Sequence, residues 1–148
     1  MSTALSPEWL IADEPTKGLD AMIRRQVCQL FFDLKENMQV SIIMITHDLR
    51  LAQKLCDTII VLYAGTIFEQ GTAGELFQTP LHPYTGGLLN AQPHKSLLPL
   101  PGMPPSLIDL PPGCKFQPRC PEQTELCRLQ EPALQAVNGR RVRCWKYA

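Results

Sequence analysis

The sequence predicts an α/β fold in which parallel strands are separated by helices. Two observations indicate this class over residues 1–79. Short apolar runs typical of buried strands recur along the chain, and a stretch with helical periodicity lies between the first two of them. A third observation sets the rest apart, because twelve of the fourteen prolines lie between Pro80 and Pro132 and four of the six cysteines lie between Cys114 and Cys144.

The first strand is predicted over residues 9–12, where an apolar run ends at an Asp-Glu-Pro turn. A helix follows from Leu19 to Lys35, because its apolar residues recur at steps of three and four. Residues 40–45 form a continuous, largely β-branched run. Such a run is typical of a strand that is covered on both faces.

The next elements continue the alternation. A helix is predicted over Asp48 to Leu55 and an apolar strand over Thr58 to Tyr63. The turn at residues 64–65 leads into residues 66–69, which predicts a hairpin. Thr72 and Glu75, three residues apart, indicate a capped start for a short helix.

Composition divides the chain into three predicted parts: residues 1–79, a helical and proline-rich connector over 80–112, and an irregular cysteine-bearing module over 113–148. Residues 1–110 hold seven Lys and Arg against eleven Asp and Glu, whereas residues 111–148 hold seven against three. The net charge of zero therefore hides an acidic first part and a basic tail. A chain without net charge has no general attraction to nucleic acid. No apolar stretch is long enough for a membrane helix, and no secretory signal is recognisable.

Three polar residues lie where predicted strands end. Asp13 and Glu14 follow the first strand and His47 follows the second. Because the carboxyl ends of parallel strands share one edge, these side chains are expected to converge. They suit Mg²⁺ binding, activation of a water and contact with a phosphate, which are the parts of nucleotide hydrolysis. Taken singly, each motif also fits a plain alternative, a solvated turn for Asp13-Glu14 and a helix start capped by Thr46 or Asp48.

Several motifs together resemble one family, the ATP-binding subunits of ABC transporters in the oligopeptide, dipeptide and nickel importer branch. Residues 10–16 resemble the Walker B segment, residues 18–20 the D-loop and residues 45–48 the switch histidine. Residues 62–71 resemble the hairpin that follows. The branch is indicated by residues 82–85, 101–105, 110–116 and 118–121. The resemblance covers essentially the whole chain.

This resemblance implies a partial P-loop NTPase fold with ATP and Mg²⁺ as ligands. Asp13 would help to hold Mg²⁺, Glu14 would be the general base, and His47 would contact the γ-phosphate. Asp20 would reach across a dimer interface. The chain departs from the branch pattern at Lys17-Gly18, which affects the D-loop, and at Gly86-Gly87, which weakens a helix by roughly 1 kcal/mol per glycine.

The phosphate-binding loop of this family is absent from the sequence. None of the nine glycines opens a Gly-x4-Gly-Lys-[Ser/Thr] motif, and the signature Leu-Ser-Gly-Gly is also missing. Residues 1–6 resemble the end of the helix after that signature. The sequence is therefore expected to be the C-terminal half of a subunit, which alone binds ATP weakly and does not turn it over.

The late cysteines Cys114, Cys120, Cys127 and Cys144 are separated by five, six and sixteen residues. This spacing fits paired zinc knuckles poorly, but zinc, another metal and four reduced packing thiols remain alternatives. Branch members with this pattern are similar to [4Fe–4S] proteins, so the resemblance implies a cluster held by these four thiolates. Cys28 and Cys56 are expected to be packing residues.

Two functions follow as hypotheses. The first is an energy-coupling ATPase subunit for peptide import, working as a dimer with a second ATP-binding subunit. It would lie on the cytoplasmic face of the inner membrane against two permease subunits, and would act indirectly with an extracytoplasmic peptide-binding protein. The second is a non-catalytic remnant or split-gene product that keeps the cluster site as a binding or regulatory module. No nucleic-acid partner is expected.

Overall fold

A computed structural model describes residues 7–92 and 99–148 of the chain. The predicted helix end at residues 1–6 and the connector residues 93–98 lie outside the described residues. The chain divides into two compact units, Met1–Cys56 and Asp57–Ala148. The boundaries at residues 79 and 112, which reflect composition and family resemblance, stay a prediction.

The first unit alternates strands and helices as predicted. It contains β1 (Trp9–Asp13), α1 (Ala21–Glu36), β2 (Ser41–Ile45) and α2 (Leu49–Leu55). The two strands pair in parallel, with Asp13 opposite Ile45 at their carboxyl ends. This register places the polar residues that follow both strands at the same edge of the sheet.

Side-chain caps begin both helices of this unit. The Asp20 carboxylate accepts hydrogen bonds from the backbone N–H groups of Met22 and Ile23 at 2.8 and 3.0 Å. Asp48 caps α2 in the same way through Arg50 and Leu51. Each cap satisfies N–H groups that have no partner inside the helix, which explains why both helices begin where they do.

One face of the two-stranded sheet is exposed. Its inner face contributes Ala12 to a small core with Phe31 and Leu34 of α1. Its outer face leaves four large apolar side chains between 48 and 69% exposed: Trp9, Ile11, Ile43 and Ile45. The expectation that the second strand is covered on both faces is wrong for the described chain, because the helices of this unit pack on one side of the sheet.

The second unit is built on a four-stranded antiparallel sheet, in which the neighbouring strands are, in order, β3 (Thr58–Tyr63), β4 (Thr66–Thr72), β6 (Arg140–Val142) and β5 (Gln135–Val137). Among the described residues, the parallel pairing predicted for the fold is therefore confined to β1 and β2. Strand β6 lies far along the chain from β4 yet pairs with it at Glu69 and Gln70, so the cysteine-bearing part shares this sheet. The helices of the unit are α3 (Ala73–Gln78), α4 (Pro83–Asn90) and α5 (Glu125–Leu129), and 3₁₀ turns lie at Gln117–Arg119 and Trp145–Tyr147.

Strand β4 carries a bulge that turns two consecutive residues inward. The register shifts between Val61 and Leu62, which pair with Glu69 and Ile67 and leave Phe68 as the extra residue. Phe68 and Glu69 are consequently both buried. The strand then ends in the predicted capping box, in which Thr72 and Glu75 bond to each other's backbone N–H groups.

Aromatic rings form the core of the second unit. Tyr63, Phe68 and Phe116 pack with Cys114 and Cys127, with ring centroids 5.3 to 6.5 Å apart. Helix α4 runs through both of its glycines. A Cβ atom on Gly87 would lie 2.1 Å from Leu100, so the glycine that weakens this helix also permits close packing. Within residues 7–92 and 99–148, no helix has the length and apolar character needed to cross a bilayer.

Candidate functional site

The structure brings Glu14 and His47 together at the carboxyl edge of the parallel strands. Glu14 Oε2 lies 2.7 Å from His47 Nδ1, which is within ion-pair distance, although the two atoms do not form a hydrogen bond of good geometry. The His47 side chain is 75% exposed and that of Glu14 is 28% exposed. The imidazole can therefore meet a ligand from solvent while it flanks the carboxylate.

The backbone after β1 aims Glu14 at this edge. Glu14 adopts a φ of 45°, a left-handed conformation that is uncommon for a residue other than glycine. Its N–H donates to the Ile45 carbonyl at 2.8 Å, which extends the β1–β2 pairing by one residue. Strained backbone of this kind is found most often at functional sites.

The turn after Glu14 explains one departure from the branch pattern. The N–H of Lys17 donates to the Glu14 carbonyl at 3.0 Å, which closes the turn. Gly18 then has a φ of 74°, a conformation that glycine adopts without steric cost. The glycine is thus suited to the loop geometry that precedes α1.

Asp13 and Asp20 lie in different settings. Asp13 ends β1 and is exposed, so its carboxylate is open to a cation at the same strand edge. Asp20 is also exposed, but one of its oxygens already caps α1. Its predicted reach across a dimer interface stays a prediction.

These groups offer one exposed oxygen ligand for a cation and a carboxylate that can polarise a water molecule. The exposed carboxylate of Asp13 supplies an oxygen ligand of the kind that Mg²⁺ prefers. Glu14 supplies a carboxylate base, and the neighbouring imidazole can donate a hydrogen bond to an anion. In the sequence itself no glycine-rich loop accompanies them to hold a triphosphate.

A second candidate site lies in the second unit, where the four late cysteines line one cavity of about 290 Å³. Cys114 and Cys127 are buried, Cys120 and Cys144 are partly buried, and all four are free thiols. Gly113 allows the backbone before Cys114 to pack closely against that of Cys127, because a Cβ atom at position 113 would lie 2.5 Å from the Cys127 carbonyl oxygen. The Cys114 N–H donates to that same carbonyl at 2.9 Å.

The cavity favours neutral thiols. Burial raises the pKa of Cys114 and of Cys144, and it raises the pKa of Cys120 to about 11. The neighbouring thiols raise the pKa values of these three cysteines further, because like charges close together disfavour the thiolate form. Positive charge from a bound metal would reverse this preference, since metal-bound cysteines are thiolates.

The four thiols line one cavity, but they are not grouped as the ligands of one metal ion. In the part of the chain that the structure describes, no three His, Cys, Asp or Glu side chains are grouped closely enough to hold a single metal ion. Among the basic residues of this unit, Arg140 pairs with Glu69, and Arg143 donates to backbone carbonyls and lies 3.7 Å from the Glu131 carboxylate. The cavity wall carries Lys146, whose ammonium lies 2.9 Å from Glu122.

His82 is a residue of this cavity that sequence reasoning missed. It is 2% exposed and lines the cavity beside the cysteines. Burial lowers the pKa of its imidazole to about 4, so the ring is neutral near pH 7. In the sequence it stands far from every late cysteine. A sequence signal for its buried position is its place directly before Pro83, where the N-cap residue of a helix is expected.

A family model described as the oligopeptide/dipeptide transporter C-terminal region matches residues 68–127. This match begins within β4 at Phe68 and includes α3, α4 and the first three late cysteines. It therefore covers the bulge and most of the cavity wall.

Curated relatives align along nearly the whole chain. The oligopeptide transport ATP-binding protein OppD of Escherichia coli is 44% identical over 99% of this chain and 45% of its own length. The dipeptide transport ATP-binding protein DppD of Haemophilus influenzae is 46% identical over 97% of this chain and 45% of its own length. The oligopeptide transport ATP-binding protein AppD of Bacillus subtilis is 42% identical over 99% of this chain and 47% of its own length. The chain thus spans about half the length of the curated relatives it matches.

Proposed function

We propose that this chain, which is related to the ATP-binding subunits of oligopeptide and dipeptide ABC transporters, contributes the magnesium-binding and water-activating part of an ATPase that energises peptide import. The observation that carries the proposal is the pairing of Glu14 with His47 at the shared edge of β1 and β2. Relatives named for ATP binding and peptide transport support the same assignment.

Each residue of this edge then has a role. Asp13 would hold Mg²⁺, which neutralises phosphate charge when bound. Glu14 accepts a proton from the attacking water. His47 flanks the Glu14 carboxylate and would present its exposed ring to the terminal phosphate.

The groups that bind the triphosphate must come from polypeptide outside this sequence. The relatives are about twice as long as the aligned region, and the four apolar side chains on the outer face of β1–β2 have no cover in the described chain. Strands of parallel sheets are normally covered on both faces. We therefore assign this face to a polypeptide that carries the phosphate-binding loop, either covalently joined or supplied as a second chain.

The remaining partners follow from the family. The proposed assembly pairs this subunit with a second ATP-binding subunit, with Asp20 at their interface. Both would contact transmembrane permease subunits at the cytoplasmic face of the inner membrane. An extracytoplasmic peptide-binding protein would act with them indirectly.

The second unit would hold a [4Fe–4S] cluster on Cys114, Cys120, Cys127 and Cys144. The support for this proposal is that the four thiols line one cavity of about 290 Å³, since four cysteine thiolates are the usual ligands of such a cluster. Such a group supplies a structural cross-link and one-electron chemistry when bound. The residues of this chain provide the thiols and a largely buried wall.

In a second candidate function, the chain contains the same cysteine-bearing module but does not take part in catalysis. The four late cysteines that line one cavity of the second unit favour it. The chain would then be a non-catalytic metal-binding or regulatory module. The two functions differ in one measurable property, which is ATP turnover in the presence of a loop-bearing partner.

The test of the ATPase is complementation. The chain is purified alone and together with the part of the Escherichia coli relative outside the aligned region, and Mg²⁺-dependent phosphate release is measured. We expect turnover from the pair and none from the chain alone. A stable pair without turnover would reject the ATPase and favour the non-catalytic module.

The test of the cluster is anaerobic reconstitution with ferrous iron and sulfide. We expect visible absorbance and matching iron and sulfide contents, both lost in Cys120→Ser. The matched control is Cys28→Ser, which removes a partly buried thiol of the first unit. Equal iron in both variants would reject the four-cysteine site.

A further inference from the structure

We propose that Thr124 is a positioning residue for Cys127, whose sulfur it holds in place through a hydrogen bond between the two side chains. Both residues line the cavity of the four late cysteines. The inference deepens the proposed cluster site and rests on that site for one of its two readouts.

The contact between the two side chains is direct. Thr124 Oγ1 lies 3.3 Å from Cys127 Sγ. A hydroxyl and a thiol can each donate or accept, so either group can supply the hydrogen while the thiol is protonated. A ligating cysteine is a thiolate, which has no hydrogen to donate, so the hydroxyl is then the donor. The same geometry therefore suits both the free thiol and a ligand sulfur.

The Thr124 hydroxyl bonds to sulfur at a position where threonine usually caps a helix. Thr124 is the N-cap residue of α5, and Cys127 is the third residue of that helix. An N-cap hydroxyl normally accepts a hydrogen bond from the N–H of the second or third helical residue, as Thr72 does at the start of α3. Within the described chain, Thr124 makes no such bond and contacts the sulfur of the third residue instead. Its hydroxyl thus serves the thiol rather than the helix start.

The backbone of Cys127 is held separately. Its carbonyl accepts a hydrogen bond from the Cys114 N–H at 2.9 Å, and the residue is 8% exposed. With the backbone fixed, rotation about the Cα–Cβ bond is the freedom left to the sulfur. The Thr124 hydroxyl restricts that rotation, so it determines where the Cys127 sulfur lies in the cavity.

Two substitutions at position 124 separate the hydroxyl from the rest of the side chain. Thr124→Val removes the hydroxyl and keeps a branched side chain, whereas Thr124→Ser keeps the hydroxyl. Thr124 is exposed, so neither substitution should disturb the core. The matched control is Thr85→Val on α4, because Thr85 is buried and its hydroxyl has no partner in the described chain.

The first readout needs no metal and is a double-mutant cycle. Urea unfolding of the reduced, metal-free chain is measured for Thr124→Val, for Cys127→Ala and for the double variant. We expect the two effects to depart from additivity by about fivefold in the unfolding equilibrium constant, the factor that one typical hydrogen bond provides. Thr85→Val combined with Cys127→Ala should be additive, and Thr124→Ser should unfold like the wild type. Additivity in the Thr124 cycle would overturn the inference.

If Cys127→Ala does not fold, the infrared S–H stretching bands replace the cycle. Loss of a hydrogen bond at a thiol raises the frequency of its S–H stretch. One band should therefore move to higher frequency in Thr124→Val and stay at its wild-type position in Thr124→Ser and Thr85→Val. Bands that are unchanged in Thr124→Val would contradict the proposed contact.

The second readout is the reduction potential after reconstitution with iron and sulfide. Hydrogen bonds to the cysteine sulfurs help to set the potential of such clusters, because they stabilise the more negative, reduced form. The potential should become more negative in Thr124→Val and stay at the wild-type value in Thr124→Ser. Equal potentials in the wild type and Thr124→Val would overturn the role toward the cluster. If the wild-type chain takes up no iron, the proposed cluster fails, and the metal-free readout alone decides whether Thr124 positions Cys127.

Discussion

Removal of the Glu69 carboxylate should strongly destabilise the second unit. Glu69 is fully buried and accepts two backbone hydrogen bonds at 2.8 and 2.9 Å from the chain before α4. Its carboxylate also lies 3.8 Å from the guanidinium of Arg140, which is 7% exposed. Glu69→Ala would leave two N–H donors and one buried cation without their partner.

The expected loss is about 3–5 kcal/mol, the range found when one member of a buried ion pair is removed. Glu69→Gln keeps an oxygen acceptor and should lose less, roughly 1–3 kcal/mol. Because small domains are stable by only about 5–15 kcal/mol, the alanine variant removes a large share of the stability.

Urea unfolding followed by Trp145 fluorescence measures this loss. Trp145 lies in the second unit, and a Trp9→Phe background removes the other tryptophan. The control is Glu122→Ala, since the Glu122–Lys146 pair is about half exposed and should be worth no more than about 1 kcal/mol. Equal losses in Glu69→Ala and Glu122→Ala would refute the reasoning.

Three further predictions concern single features of the second unit. Thr72→Ala should cost about 1 kcal/mol in urea unfolding, because it removes the capping box of α3. Burial lowers the His82 pKa from 6.5 to about 4, so the neutral ring stabilises the folded state above pH 6.5, and this stabilisation is lost as the pH falls from 6.5 to 4. The loss corresponds to roughly 3 kcal/mol of unfolding free energy. In an acid titration of stability, His82→Gln should therefore show a shallower slope than the wild type. Gly113→Ala should lower the urea midpoint, because φ is 69° and the added Cβ would meet the Cys127 carbonyl; an unchanged midpoint would contradict this.

The strand-end site could largely be predicted from local signals. Apolar runs and helical periodicity locate β1, α1 and β2, and the edge rule for parallel strands then places Asp13, Glu14 and His47 together. The direct approach of Glu14 to His47 could not be predicted. It depends on a left-handed Glu14, and glutamate carries no local preference for that conformation.

The cavity could be predicted only in part. Clustered cysteines indicate a shared site, but the pairing of β4 with β6 joins residues that are far apart in the chain. The bulge that buries both Phe68 and Glu69 breaks the alternation on which strand predictions depend. His82 consequently looked isolated in the sequence, although it lies in the wall of the site.

The most direct test of the proposed ATPase is phosphate release by the complemented pair carrying Glu14→Gln. The account predicts a decrease of about 10²- to 10⁴-fold, the usual contribution of a general base, with the pair still assembled. Glu36→Gln, which changes an exposed carboxylate on α1, should leave the rate unchanged. Turnover that persists in Glu14→Gln, or that the unpaired chain sustains alone, would contradict the account.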